Sequence, residues 1–238
     1  ENGGKRIRPV LVLESCRIAG GDIEKAIDAA CALEMIHTYS LIHDDLPCMD
    51  NDDMRRGKPS CHIKFGEEYA LLAGDALLTY AFEVISASSL DDEKKSKAVL
   101  CLAKNAGFNG MIGGQTVDLR SEGKEISFER LKLMHSMKTG ALIRCAVILG
   151  CIAAGADEKT TNALISYADN IGLAFQIVDD ILDVTSTTEE LGKPVGSDEE
   201  ENKTTFVTLF GVEKAMELAD EETAEALACL DKIGNSSF

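Results

Sequence analysis

Five aspartates and two arginines crowd residues 41–57, LIHDDLPCMDNDDMRRG: Asp44, Asp45, Asp50, Asp52 and Asp53, followed by Arg55 and Arg56. Two carboxylates ~6 Å apart repel by about 3 kcal/mol at an effective dielectric of ~20. The stretch leading in, residues 30–42, is largely apolar and has helical spacing. The acids therefore sit at the edge of a core, where they need protons or a bound cation. Pro47 disfavours helix at Leu46 and lacks an N–H, so the helix is expected to end near Asp45. Asp44 and Asp45 then lie at a helix C-terminus, whose dipole also attracts cations, and Asp50 returns on the following turn. Oxygen-only ligands suit Mg²⁺, which keeps waters and takes phosphates as partners.

Charge narrows the partners. Asp plus Glu number 41 against 24 Lys plus Arg, a net charge of −17 over 238 residues, which argues against nucleic acid or an anionic membrane surface. An anionic substrate would need metal ions or a local basic cluster. One such cluster stands at the start, where Lys5, Arg6 and Arg8 follow Gly3 and Gly4. Arg offers a planar fork for phosphate oxygens and Lys a point charge. The eight cysteines form no CxxC pair and read as buried thiols in a reducing cytosol. No unbroken apolar run reaches ~18 residues, so no membrane span is expected.

Helical spacing recurs along the chain, at 10–19, 23–42, 69–87, 98–107, 111–119, 127–155, 160–182 and in an acidic tail from 212, with Asp22 as a helix N-cap. Strand-like runs are few. The expected fold is all-α: one domain, a bundle of about ten or more helices around a central cavity, with metal sites between facing helices. Two adjacent glycines in GGQTVD (113–118) indicate close packing or a kink, and Gln115 and Asp118 share a face. Lys138 lies between apolar turns and needs an anionic partner. FQIVDDILD closes the second long apolar helix; Asp179 and Asp183 share a face, Asp180 lies beside them, and Gln176 is about one turn upstream. Residues 191–205 form a polar loop, with Lys193 and Lys203, that reads as a mobile lid. Walker, GxGxxG, HExxH and GxSxG motifs are absent. Residues 50–57 fail as an EF-hand because Met54 occupies an oxygen-ligand position.

In combination and order, GGKRIRP, IHTYSLIHDDLPCMDNDDMRRGKPSCH, GGQTVDL, MKTGAL, GLAFQIVDDILD and NKTTF resemble the trans-isoprenyl diphosphate synthases, most closely the short-chain bacterial type that makes farnesyl diphosphate. The likeness runs from Gly3 to about Gly211, and it implies a prenyltransferase of isoprenoid biosynthesis. It implies Mg²⁺, on the order of three ions per active site, at carboxylates that leave room for water and phosphate. Asp44 and Asp50, with Asp45 in support, would hold the metal at the first motif; Asp179, with Asp180 and Asp183 around it, would hold it at the second. Arg55, Lys138, Lys203 and Lys193 would contact the allylic diphosphate. Lys5, Arg8, His37 and Arg56 would hold isopentenyl diphosphate, and Thr139 and Gln176 would stabilise positive charge at the allylic carbon. The resemblance further implies a homodimer, and helices before GGKR and beyond Phe238, so that residues 1–238 read as one polyprenyl synthase domain clipped at both ends.

The implied chemistry needs no protein nucleophile. Cations stabilise the departing diphosphate, apolar walls exclude water from the allylic cation, the double bond of isopentenyl diphosphate, held close, attacks it, and the new cation loses a proton to the released diphosphate. In the resembled family an aromatic residue five before the first aspartate accompanies fifteen-carbon products; here it is Tyr39. Five residues is ~140° around a helix, so Tyr39 need not share the face of Asp44, whereas the small Ser40 does. Farnesyl diphosphate is the favoured product, with geranylgeranyl diphosphate and a non-catalytic regulatory subunit as alternatives. A terpene cyclase would carry a different metal motif where this chain has DDILD. A plain ion-binding bundle leaves the ordered basic residues unexplained.

Overall fold

The computed structural model describes residues 3–186 and 203–233. Among them lie eleven α-helical segments and a single two-stranded hairpin, so the architecture is the all-α bundle expected. Helix α1 is Ile7–Ile18, and after a 3₁₀ turn at Ile23–Ala26 comes α2, Ile27–Asp44. Asp22 does cap that turn, accepting the Glu24 N–H at 3.1 Å. Next are the hairpin β1 (Met54–Arg55) and β2 (Lys58–Pro59), α3 (Cys61–Phe65), α4 (Glu67–Ala87), α5 (Asp92–Ala106) and α6 (Met111–Ser121). Helices α7 (Phe128–His135) and α8 (Ala141–Ala154) are joined by a π turn at Ser136–Gly140; α9 spans Glu158–Thr185, α10 Phe206–Phe210 and α11 Val212–Asp231.

Helix α8 is the centre. Ten of its fourteen residues are buried, as its all-round apolar sequence requires. It packs on α1, α5 and α9, while α2 lies along α4 and α9 along α11. A Cβ on Gly150 would collide with the Val12 carbonyl oxygen and Ser15, so glycine there lets α8 and α1 close to backbone contact. Val12, Leu33, Ile36, Ile85, Leu102, Leu142 and Leu149 fill the main core. A second cluster of Leu131, Met134, Leu173, Ile177 and Phe206 joins α7, α9 and α10.

Helix α4 departs from the expectation for the chain's hydropathy. Two helices, Glu67–Ala87 and Phe128–Ala154, are long and apolar enough to cross a membrane by length and composition, although neither shows an unbroken apolar run. The second is mostly packed inside the bundle. Helix α4 instead exposes Tyr69, Leu72 and Tyr80.

Candidate active site

Helix α2 ends at Asp44, with Asp45 as its C-cap, as Pro47 requires. The chain folds back at once: Leu46 donates its N–H to His43 O at 3.1 Å and Asp50 donates to Asp44 O at 2.9 Å. That returns Asp50 beside Asp44. Burial, reinforced by the charges of Asp50 and Asp45, pushes the Asp44 carboxyl up to about 6 against the pull of Lys138 and Arg55. Asp45 is turned the other way. Only 2 % exposed, it accepts from Arg55 Nε at 2.9 Å and again from Nη2, and Arg55 also reaches Asp52 at 3.2 Å. Arg55 is thus held by two carboxylates, Asp45 and Asp52.

The hairpin after this turn closes through Arg56 and Gly57, both at positive φ (54° and 71°), the geometry of a tight type I′ turn. Arg56 Nη1 donates to Gly3 O at 2.9 Å, tying the N-terminal segment to the hairpin. Four arginines, Arg8, Arg56, Arg55 and Arg6, act on His37; together with burial, the largest cause, they push its imidazole down to about 3. Burial and Arg56 likewise lower Arg8 to about 10, against the pull of Glu34. Arg8 Nε is buried with no hydrogen-bond partner among the described residues. Cations gathered this closely call for an anion. Arg6 is neutralised locally by Glu34 at 2.6 Å, and Lys5 lies 6.0 Å over the Phe175 ring, outside the lining of the cavity.

Arg8, His37, Asp44, Lys138 and Thr139 line one cavity of 560 Å³, whose remaining wall is largely apolar and includes Leu78, Met111 and Leu142. Tyr39 and Ser40 both line it, which settles the question of face: the cavity wraps widely enough around α2 to include positions five and four before Asp44. Tyr39 is 5 % exposed, its ring meets His43 edge-on at 5.7 Å, and its hydroxyl has no partner among the described residues.

The π turn presents Lys138 and Thr139 to this cavity. Such turns insert one residue into the helical ladder and recur at functional sites. Lys138 Nζ donates to Asp118 Oδ2 at 2.5 Å, and the Thr139 hydroxyl donates to Gln176 Oε1, joining α9 to the turn. The glycine pair of α6 packs closely, as its sequence indicates: a Cβ on Gly114 would run into the backbone of Lys138.

The acids of α9 are arranged differently from those of α2. Asp180 and Asp183 are buried, and Asp180 Oδ2 accepts the Phe206 N–H at 2.8 Å. Asp179 is half-buried. Among the described residues no three acidic, imidazole or thiol groups stand close enough to hold one ion, so the two motifs do not form a preassembled metal cluster. Lys203 is half-buried just before α10; Lys193 and most of the polar loop fall outside the described residues.

A family model, polyprenyl synthetase, matches residues 1–234. The chain belongs to that family. The chain is 51 % identical over 235 residues to the geranylgeranyl diphosphate synthase of Cyanophora paradoxa, covering 96 % of this chain and 78 % of that one. It is 50 % identical over 222 residues to the farnesyl diphosphate synthase of Geobacillus stearothermophilus, covering 91 % and 74 %. It spans 62 % of the chloroplastic geranylgeranyl pyrophosphate synthase of Capsicum annuum, to which it is 51 % identical over 227 residues and 94 % of its own length. A geranyltransferase from Helicobacter pylori, solved with magnesium and isoprenyl diphosphate, superposes at a TM-score of 0.90 with 40 % identity, over 99 % of this chain and 79 % of that one.

Sequence reasoning passed over Asp118 as the partner of Lys138, although two signals were present: an apolar-flanked lysine lacking an anion, and an aspartate on the face of the glycine pair. It also missed His43, whose Nε2–H donates to Leu71 O at 3.0 Å, and His135, which stacks on Phe206 at 5.6 Å with neither ring nitrogen partnered among the described residues.

Proposed function

We propose that this member of the family condenses isopentenyl diphosphate with allylic diphosphates, head to tail, in a Mg²⁺-dependent reaction that yields farnesyl diphosphate. The observation that carries this reading is a cavity that joins a carboxylate destabilised in its charged form, Asp44, to the buried Arg8 guanidinium and the neutral His37 imidazole across an apolar wall. The donors fit Mg²⁺: they are oxygens, and burial beside Asp50 leaves Asp44 with a charge that a hard cation would compensate. When bound, the ion supplies Lewis-acid stabilisation of the departing diphosphate. Asp44 and Asp50 would hold it, with Asp179 and Asp183 of α9 as the further ligands. Arg8, His37 and Arg56 would bind the isopentenyl diphosphate. Lys138 would hold the allylic diphosphate, and Thr139, oriented by Gln176, would point its oxygen toward the developing positive charge. The apolar wall keeps water from the cation.

Tyr39, buried in the cavity wall, supports the fifteen-carbon product. The geranylgeranyl reading is favoured by the 51 % identity to the Cyanophora enzyme. Purified protein given Mg²⁺, isopentenyl and dimethylallyl diphosphates, with products dephosphorylated and sized by chromatography, separates them. Mainly farnesol from the parent and longer alcohols from Tyr39→Met support Tyr39 as the floor. Geranylgeraniol from the parent keeps the chemistry and discards that floor. No condensation by a chain carrying the full length of its relatives favours the regulatory subunit.

A second copy of this chain is the proposed partner, seated on the exposed face of α4 where Tyr69, Leu72 and Tyr80 stand open. A reducing compartment, the cytosol, suits its eight free cysteines.

A further inference from the structure

Lys138 has two carboxylates to choose from. Asp44 lines the same cavity and feels the ammonium more than any other charge, yet among the described residues Lys138 pairs with Asp118. The local build explains the choice. Helix α6 reaches the π turn through Gly114, where any side chain would collide with the Lys138 backbone, and Asp118 stands one turn further along the same face. Asp118 is 8 % exposed and held in a packed helix, whereas the lysine stem is long and flexible. The fixed carboxylate therefore sets where the mobile ammonium rests.

We propose that Asp118 is a positioning residue that holds the Lys138 ammonium off Asp44, leaving that carboxylate open to a divalent cation while the lysine stays within reach of a diphosphate. The inference rests on the functional reading above and adds a residue to it. Without the Asp118 charge, Lys138 swings onto Asp44, the cavity carboxylate that its charge already reaches. The ammonium then competes with the metal for that carboxylate, and loss of a supporting partner of this kind weakens metal affinity.

Binding of Mn²⁺, as a paramagnetic stand-in for Mg²⁺, is read by electron paramagnetic resonance on the substrate-free protein. Four forms are compared: parent, Asp118→Asn, Lys138→Met and the double variant. Asp118→Asn is expected to weaken Mn²⁺ by about tenfold or more. Lys138→Met leaves the affinity equal or tighter, and in its background Asp118→Asn costs well under half as much on a logarithmic scale. In steady state Asp118→Asn raises KM for the allylic diphosphate and leaves KM for isopentenyl diphosphate unchanged, and Asp118→Glu restores most of the loss. Equal weakening of Mn²⁺ in both lysine backgrounds would mean that Asp118 acts only as a distant negative charge, and would overturn the proposal. So would a rise in both KM values together, or unchanged Mn²⁺ affinity in Asp118→Asn. A parent that condenses the substrates but binds Mn²⁺ no differently from Asp118→Asn rejects the positioning role alone. A parent that neither condenses them nor binds Mn²⁺ rejects the functional reading with it.

Discussion

The ends of α2 and α9 carry the same device in sequence, paired aspartates behind a long apolar helix, and use it differently. At α2 the helix stops, the chain doubles back, and Asp44 meets Asp50 at the mouth of a cavity. At α9 the helix runs on past the acids to Thr185, and Asp180 is occupied by the Phe206 N–H of α10. Pro47 makes the difference: it ends α2 within a few residues of the acids, while no proline interrupts α9. A carboxylate cluster thus calls for a cation where the backbone turns beneath it, and gives up one acid, Asp180, to packing where a neighbouring helix supplies a donor.

The largest effect should come from Asp44→Asn. Loss of the charge at the cavity mouth is expected to lower kcat by about a thousandfold, the scale set by removing a principal electrostatic stabiliser. Circular dichroism should remain unchanged. The same substitution tests the strain. A carboxyl raised from 3.8 to about 6 contributes stability that is full below its ordinary value and lost as pH rises through 6. Metal-free parent protein should therefore lose melting temperature relative to Asp44→Asn between pH 4 and 7, and Mg²⁺ at pH 7 should recover it. Parallel melting curves for the two forms across that range would break the contrast drawn here.

The second effect lies at the other end. Asp180→Ala removes the acceptor of a buried N–H and should cost about 1–3 kcal/mol, a few degrees in melting temperature for a chain of this size. Its activity measured well below the melting transition should fall far less than that of Asp44→Asn. A loss of activity at unchanged stability would make Asp180 a working ligand like Asp44, and the two ends would be alike after all.

Much of this arrangement was legible in the sequence because it is local. The stop at Asp45 follows from Pro47, the cap at Asp22 from its position, and the close approach of α6 from adjacent glycines. The pairs that decide how each acid is used are not local. Asp45 with Arg55, Lys138 with Asp118 and Asp180 with Phe206 are 10, 20 and 26 residues apart. Composition predicts that a buried lysine needs an anion without saying which one. The π turn at Ser136–Gly140 is likewise silent: its one glycine, Gly140, keeps an ordinary helical φ of −60°, and the turn is packed between α6 and α9. The side of α2 that faces the cavity was hidden because that helix is apolar nearly all round, so periodicity could not choose between Tyr39 and Ser40.

The smallest effect sharpens the comparison one turn upstream of each acid. Gln176, before Asp179, has its carbonyl oxygen satisfied by Thr139, whereas the hydroxyl of Tyr39, before Asp44, is buried without a partner. Burial and the Asp44 charge push that phenol up to about 12, so it stays protonated and neutral. An unpaired buried hydroxyl carries a desolvation cost that Phe lacks, so Tyr39→Phe should be neutral or stabilising by up to about 1 kcal/mol in denaturant melts. Product length should stay unchanged, because the ring that fills the wall is kept. A destabilisation larger than that would mean the hydroxyl has a partner in solution. Longer products from Tyr39→Phe would assign the wall's function to the polar tip rather than to the ring.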